Sequence, residues 1–205
     1  MDTTTVAAFL AVDLLLVFTP GADWAYAITA GLRDRSVVPA VAGLIAGYAG
    51  YTALGVAGLV VIVANSATVL TALTVAGAAY LMWLGWGVLS RPSVLGASTQ
   101  AMPSSRRQIM LKGAGISGLN PKALLLYFSL FPQFIDPGAG WPVAAQTGLL
   151  GTLHMTTCAV VYLAVGVLAR TVLKTRPSAA RAVTRASGAM MIVIGGFLLV
   201  ERLAG

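Results

Sequence analysis

Charge, cysteine and histidine are all scarce in this chain, and each scarcity closes off a class of function. Only 9% of its 205 residues are charged, against roughly 25% in soluble proteins. The lone Cys158 excludes an intramolecular disulfide. One cysteine and one histidine cannot supply a His/Cys metal site, so neither a metal nor a cofactor is expected. There is no Gly-x-Ser-x-Gly nucleophile turn and no nucleotide-binding glycine loop. Asp13 and Asp23 fall on one helix about 15 Å apart by rise, too far to share a proton as a proteolytic dyad. No enzyme and no catalytic residue is expected. The N-terminal stretch lacks a basic start before its apolar run, so a cleaved signal peptide is not expected either.

What the chain has is apolar residues, 58% of the total, in runs long enough to cross a bilayer. Its 23 glycines suit close helix packing in lipid, and Gly43 and Gly47 form a GxxxG pair. The expected fold is all-α: a polytopic membrane protein with spans near residues 5–30, 38–64, 68–89, 113–135, 141–169 and 186–200. The six spans make one transmembrane domain over residues 1–205. It divides into a first half (1–90), a polar loop (91–112) and a second half (113–205). The net charge of +7 does not point to nucleic acid, because the basic residues gather in short loops. Eleven of the 13 Lys and Arg follow spans one, three and five, and only Arg202 lies on the other side. The positive-inside rule then places those loops in the cytoplasm and both termini outside.

Two of the spans are interrupted. Thr19-Pro20-Gly21-Ala22-Asp23 breaks the first and Asn120-Pro121-Lys122 breaks the fourth, because proline lacks an amide hydrogen and clashes with the preceding turn. Three spans per half force the halves to run in opposite directions, so paired breaks are the pattern of a 3+3 inverted repeat with a central solute site. Freed backbone groups must face protein or a watery cavity, and each second half-helix starts there with the positive end of its dipole. Helix ends and Lys122 suit a carboxylate, and an aspartate suits an ammonium. The substrate-binding candidates are therefore Thr19, Pro20, Gly21, Asp23, Asn120, Pro121 and Lys122. Asp13 and Asp23 are the candidates for proton coupling. Three alternatives stay open. Asp23 and Lys122 either contact substrate or neutralise each other as a buried pair. Asp13 either carries protons or lines an outer watery vestibule, the latter slightly favoured. His154 reads first as a packed polar residue bonded to a neighbouring helix. Tyr26, Tyr48 and Tyr127 read as core or as cavity wall.

The motifs, in order and over nearly the whole length, resemble the LysE/RhtB family of bacterial amino-acid exporters. Thr19-Pro20-Gly21-Ala22-Asp23 is similar to that family's Pro-Gly-Pro-Asn/Asp motif, with Ala22 in place of the second proline. Gly77-Ala78-Ala79-Tyr80-Leu81 through Gly85-Trp86 is similar to its third-span segment. Asn120-Pro121-Lys122-Ala123 followed by Phe131-Pro132-Gln133-Phe134 resembles its most recognisable signature, and Ser187-Gly188 also fits. Ser36 stands where a glycine is common. The resemblance implies a small multi-pass exporter in the bacterial inner membrane, moving an amino acid or derivative, driven by the proton gradient. Its partners would be a small-molecule substrate and the lipid bilayer, and the Gly-rich second span allows a homodimer. Export of another small solute or ion, or a non-transporting sensor or assembly subunit, remains the alternative.

Overall fold

A computed structural model describes residues 1–32, 37–59, 66–90, 105–173 and 177–204. Among them there are helices and no strands, as an apolar chain must arrange itself where lipid cannot satisfy backbone groups. In chain order the α-helices are α1 (Thr3–Val17), α2 (Ala22–Leu32), α3 (Val37–Leu54), α4 (Ala67–Ser90), α5 (Arg106–Gly118), α6 (Pro121–Leu125), α7 (Val143–Leu168) and α8 (Pro177–Ala204). Short π turns extend α3 over Gly55–Leu59, α6 over Leu126–Leu130 and α7 over Ala169–Leu173. A 3-10 turn, Phe131–Phe134, follows the second of these. Gly58 has φ 107°, a left-handed conformation that favours glycine, at the end of the α3 run.

Three helical stretches are long and apolar enough to cross a membrane: Val37–Leu59, Ala67–Gly87 and Val143–Thr171. The bent pair α1–α2, with 58° between its halves, makes a fourth if it is one span. The chain is thus a polytopic helical membrane protein.

α7 packs against α1, α2 and α3, while α5 lies along the other side of α3. α4 and α8 pair with each other as a layer that meets the rest through α6, the π turns after α6 and α7, and the contact of Met191 with Gly21. Small residues set these contacts. A Cβ on Gly47 would stand 2.8 Å from the Gly118 amide nitrogen, and one on Gly43 would overlap the Met110 carbonyl, so the GxxxG pair of α3 is the seat of α5. Gly85 and Gly188 face each other across α4 and α8, where an added Cβ would lie 2.6 to 2.8 Å from the opposite carbonyl. Two of the motif glycines are therefore packing residues. Phe131 and Phe134 meet Phe9 edge to face at 5.3 and 5.4 Å, so the Phe-Pro-Gln-Phe signature packs on α1.

Two boundaries differ from the sequence reading. Residues 106–112, expected in the polar loop, form the first half of α5, capped by the Ser105 hydroxyl accepting from the Gln108 amide. The last helix begins at Pro177 rather than near residue 186, so at 28 residues it is the longest α-helix among the described residues. Proline suits a first helical position and the alanine-rich stretch after it favours helix, which an apolar-run criterion overlooks. The remainder of the expected loop (91–104), the end of the second expected span (60–64), and Arg33, Asp34, Arg35, Ser36, Lys174 and Arg176 lie outside the described residues.

Candidate functional site

Both proline-containing stretches do break their helices, and the two breaks touch. α1 ends at Val17 and α2 begins at Ala22; α5 ends at Gly118 and α6 begins at Pro121. Breaking α1 frees its last four carbonyls, and each finds a donor. Leu14 accepts from the Phe18 amide, Leu15 from the Thr19 hydroxyl, Leu16 from the Thr19 amide and Lys122 Nζ, and Val17 from Trp24 Nε1. Lys122 also donates to the Thr19 carbonyl at 2.7 Å. Its ammonium sits at the negative end of the α1 dipole, where a cation is favoured.

The second break answers the first. Asn120 is the N-cap of α6: its Oδ1 accepts from the Lys122 amide at 3.1 Å, and Pro121 opens the helix where a missing amide costs nothing. The other end of the same amide, Nδ2, donates to Asp23 Oδ2 at 2.8 Å. Tyr48 of α3 donates to that oxygen as well, also at 2.8 Å. Asp23 lies in the first turn of α2, favourable for an anion. It is 2% exposed, and its Oδ1 has no partner. Gly21 supplies the carbonyl that accepts from the Ala25 amide, and a Cβ there would stand 3.8 Å from Met191 and 4.0 Å from the Lys122 side chain. Thr19 and Pro20 are buried beside it.

Thr19, Gly21, Asp23, Asn120 and Lys122 thus come together, and of the two alternatives left open for Asp23 and Lys122 the direct pair is not formed. Asp23 and Lys122 do not touch: each is held by uncharged partners, because the freed carbonyls of α1 compete for the ammonium. Thr19 does not cap α2; its hydroxyl turns back into α1. Asp13 is fully buried rather than in an outer vestibule, and its Oδ1 lies 2.6 Å from His154 Nδ1. His154 is 3% exposed and is indeed bonded to a neighbouring helix.

A cavity of about 10 Å³, room for about one water, lies between these groups, walled by Lys122, Tyr48, His154 and Tyr162 on its polar side. Tyr162 escaped the sequence reading. Its hydroxyl is 3.3 Å from that of Tyr48. The signal was present, since His154, Cys158 and Tyr162 recur at i, i+4 and i+8 along one face of α7. Tyr127 is core, bonded to the Thr52 hydroxyl at 2.8 Å and stacked on Tyr48. Tyr26 instead ties α2 to α5 through the Ile109 carbonyl. Among the described residues no group of His, Cys, Asp and Glu has the makings of a metal site.

A helical membrane protein in which two broken helices face each other across buried polar groups has the architecture of a solute transporter. Its sequence places it more narrowly: the chain belongs to the LysE type translocator family, whose profile matches residues 14–202. It is 29% identical over 199 residues to the homoserine/homoserine lactone efflux protein of Salmonella typhimurium, covering 95% of this chain and 96% of that one. An uncharacterized membrane protein of Vibrio cholerae is 30% identical over 164 residues, 78% of each chain. A shorter stretch of 67 residues is 45% identical to the leucine efflux protein of an Enterobacter species, covering 31% of this chain and 30% of that one. No solved structure matches.

Proposed function

We propose that the chain is a secondary transporter of the bacterial cytoplasmic membrane that exports an amino acid or amino-acid derivative against an inward flow of protons. The observation that carries this reading is the meeting of the two breaks, with an unpartnered carboxylate oxygen of Asp23 on one side and the Lys122 ammonium on the other. Asp23 Oδ1 suits the substrate ammonium. The third Lys122 proton, with the amides opening α2 and α6, suits a carboxylate or lactone carbonyl. The efflux proteins of Salmonella and Enterobacter are named for solutes of this chemistry.

The cavity of about 10 Å³ is far below the roughly 300–1,000 Å³ of ligand pockets, so transport requires the site to open. An inverted repeat supplies the means. It pairs α1–α2 with α5–α6, α3 with α7, and α4 with α8, and the contacts α3–α7 and α4–α8 then join equivalent helices. Rocking one half against the other exposes the site to each side in turn. The basic loops face the cytoplasm and both termini the outside, and the chain works alone or as a homodimer.

Efflux from cells preloaded with labelled amino acids tests the reading, with Asp23→Asn and Lys122→Ala compared at matched membrane expression. Selective loss of one amino-acid class from wild-type cells, reduced to the empty-cell rate in both variants, is the expected result. Equal efflux from wild-type and empty cells would remove the amino-acid reading in favour of another solute or a sensor or assembly role.

A further inference from the structure

We propose that Asp13 and His154 are the proton-binding site of this transporter, distinct from the Asp23 site and joined to it across the central cavity. The proposal rests on the export reading above.

The pair is buried between α1 and α7 and held at 2.6 Å. Neither residue hydrogen-bonds to Asp23, Asn120 or Lys122, and His154 touches the edge of the Tyr48 ring. For packing alone, two apolar side chains would serve at least as well, since a buried polar pair costs desolvation. Because Nδ1 is committed to Asp13, Nε2 is the position where a proton arrives and leaves. It lies 3.5 Å from Cys158 Sγ. With a neutral ring, the pair is one net negative charge in apolar surroundings, and Asp13 Oδ2 has no partner. One added proton turns it into an imidazolium facing a carboxylate, with no net charge.

The other groups facing the ring come from each neighbouring element. Tyr48 of α3 meets it edge-on at 4.6 Å between centroids, and Tyr127 does so at 5.7 Å. Cys158 and Tyr162 share its helix, and Lys122 stands across the cavity with its ammonium on the α1 carbonyls. Lys122 is the only one of these with a fixed charge, and that charge is already engaged. The cavity walled by His154, Tyr48 and Tyr162 admits about one water. Such a water connects the ring to the Tyr48 hydroxyl, which donates to Asp23.

That connection gives exchange a physical basis. The substrate carboxylate goes to Lys122, so a substrate ammonium on Asp23 and a proton on His154 are like charges at the two ends of the Tyr48 connection, and each weakens the other. A proton taken from external water at Nε2 favours release of the substrate outside. In the inward-facing state the proton passes to cytoplasmic water and the ring returns to neutral. One proton enters for each solute that leaves, and nothing is oxidised or reduced.

The experiment uses the full chain with a histidine-free affinity tag, 15N-labelled at histidine, in lipid nanodiscs. His154 is the only histidine, so a single imidazole is observed. Between about pH 9 and pH 5 its Nε2 signal is expected to move from the unprotonated to the protonated position. Saturating L-homoserine is expected to shift the midpoint to lower pH, and Asp13→Asn to shift it too. In proteoliposomes, His154→Gln is expected to abolish homoserine accumulation driven by a proton gradient. A ring that keeps one state across the range, or a midpoint that neither L-homoserine nor Asp13→Asn moves, would overturn the proposal. If wild-type vesicles exchange labelled homoserine while the ring fails to titrate, this proposal falls and the export reading stands. If they exchange no labelled amino acid, both fall.

Discussion

Asn120 holds the two breaks together, and its removal is a quantitative test of that role. Asn120→Ala takes away the cap of α6, about 1 kcal/mol for such caps. It also takes away the bond to Asp23, about 1.5–3 kcal/mol for a hydrogen bond to a charged group. The five-residue α6 has little internal hydrogen bonding to absorb the loss. The expected total is about 2.5–4 kcal/mol, measured by reversible unfolding in mixed micelles. Asn120→Ser separates the two contributions, because serine caps a helix but is too short to reach Asp23. A double-mutant cycle with Asp23→Ala then isolates the bridge, with an expected coupling of about 1.5–3 kcal/mol. Coupling below about 0.5 kcal/mol would refute the argument, since that is what independent sites show.

Three further outcomes follow from the packing and the charges. Gly43→Ala, whose new methyl meets the Met110 backbone, should cost about 1–3 kcal/mol, whereas Gly50→Ala, with open space around it, should gain about 0.5–1 kcal/mol in the same unfolding assay. The charge-swapped pair Asp23→Lys/Lys122→Asp should fail to restore efflux, because the α1 carbonyls would face a carboxylate; recovery to wild-type rates would mean the two charges act as a direct pair. Cys158 is fully buried, so its alkylation by a small maleimide should be slow at rest and faster during homoserine exchange, and a rate insensitive to substrate would contradict opening around α7.

The breaks were legible in sequence because proline and a mid-span charge are local signals that no packing can hide. The Gly43–Gly47 contact was legible for the same reason: small residues at helical spacing have one structural use in lipid. Partner choice was harder to read. Asp23 and Lys122 look like an ion pair on paper, but breaking a helix releases carbonyls, and these outcompete the carboxylate for the ammonium. Asp13 and His154 lie far apart in the chain and meet only because α1 packs on α7. Tyr162 stayed hidden because a lone tyrosine in an apolar run reads as filler until its neighbours at four-residue intervals are counted with it. The last helix was underestimated because its basic start, residues 177–185, interrupts the apolar run without interrupting the helix.

The central claim is that the meeting point of the two breaks binds the exported solute. Exchange of labelled L-homoserine across proteoliposomes with no proton gradient tests it most directly, using purified wild type, Asp23→Asn and Lys122→Ala of equal thermal stability. The account predicts saturable exchange by wild type, competed by excess unlabelled homoserine, and none by either variant. Exchange by both variants at the wild-type rate and half-saturation would contradict it and place recognition away from the breaks.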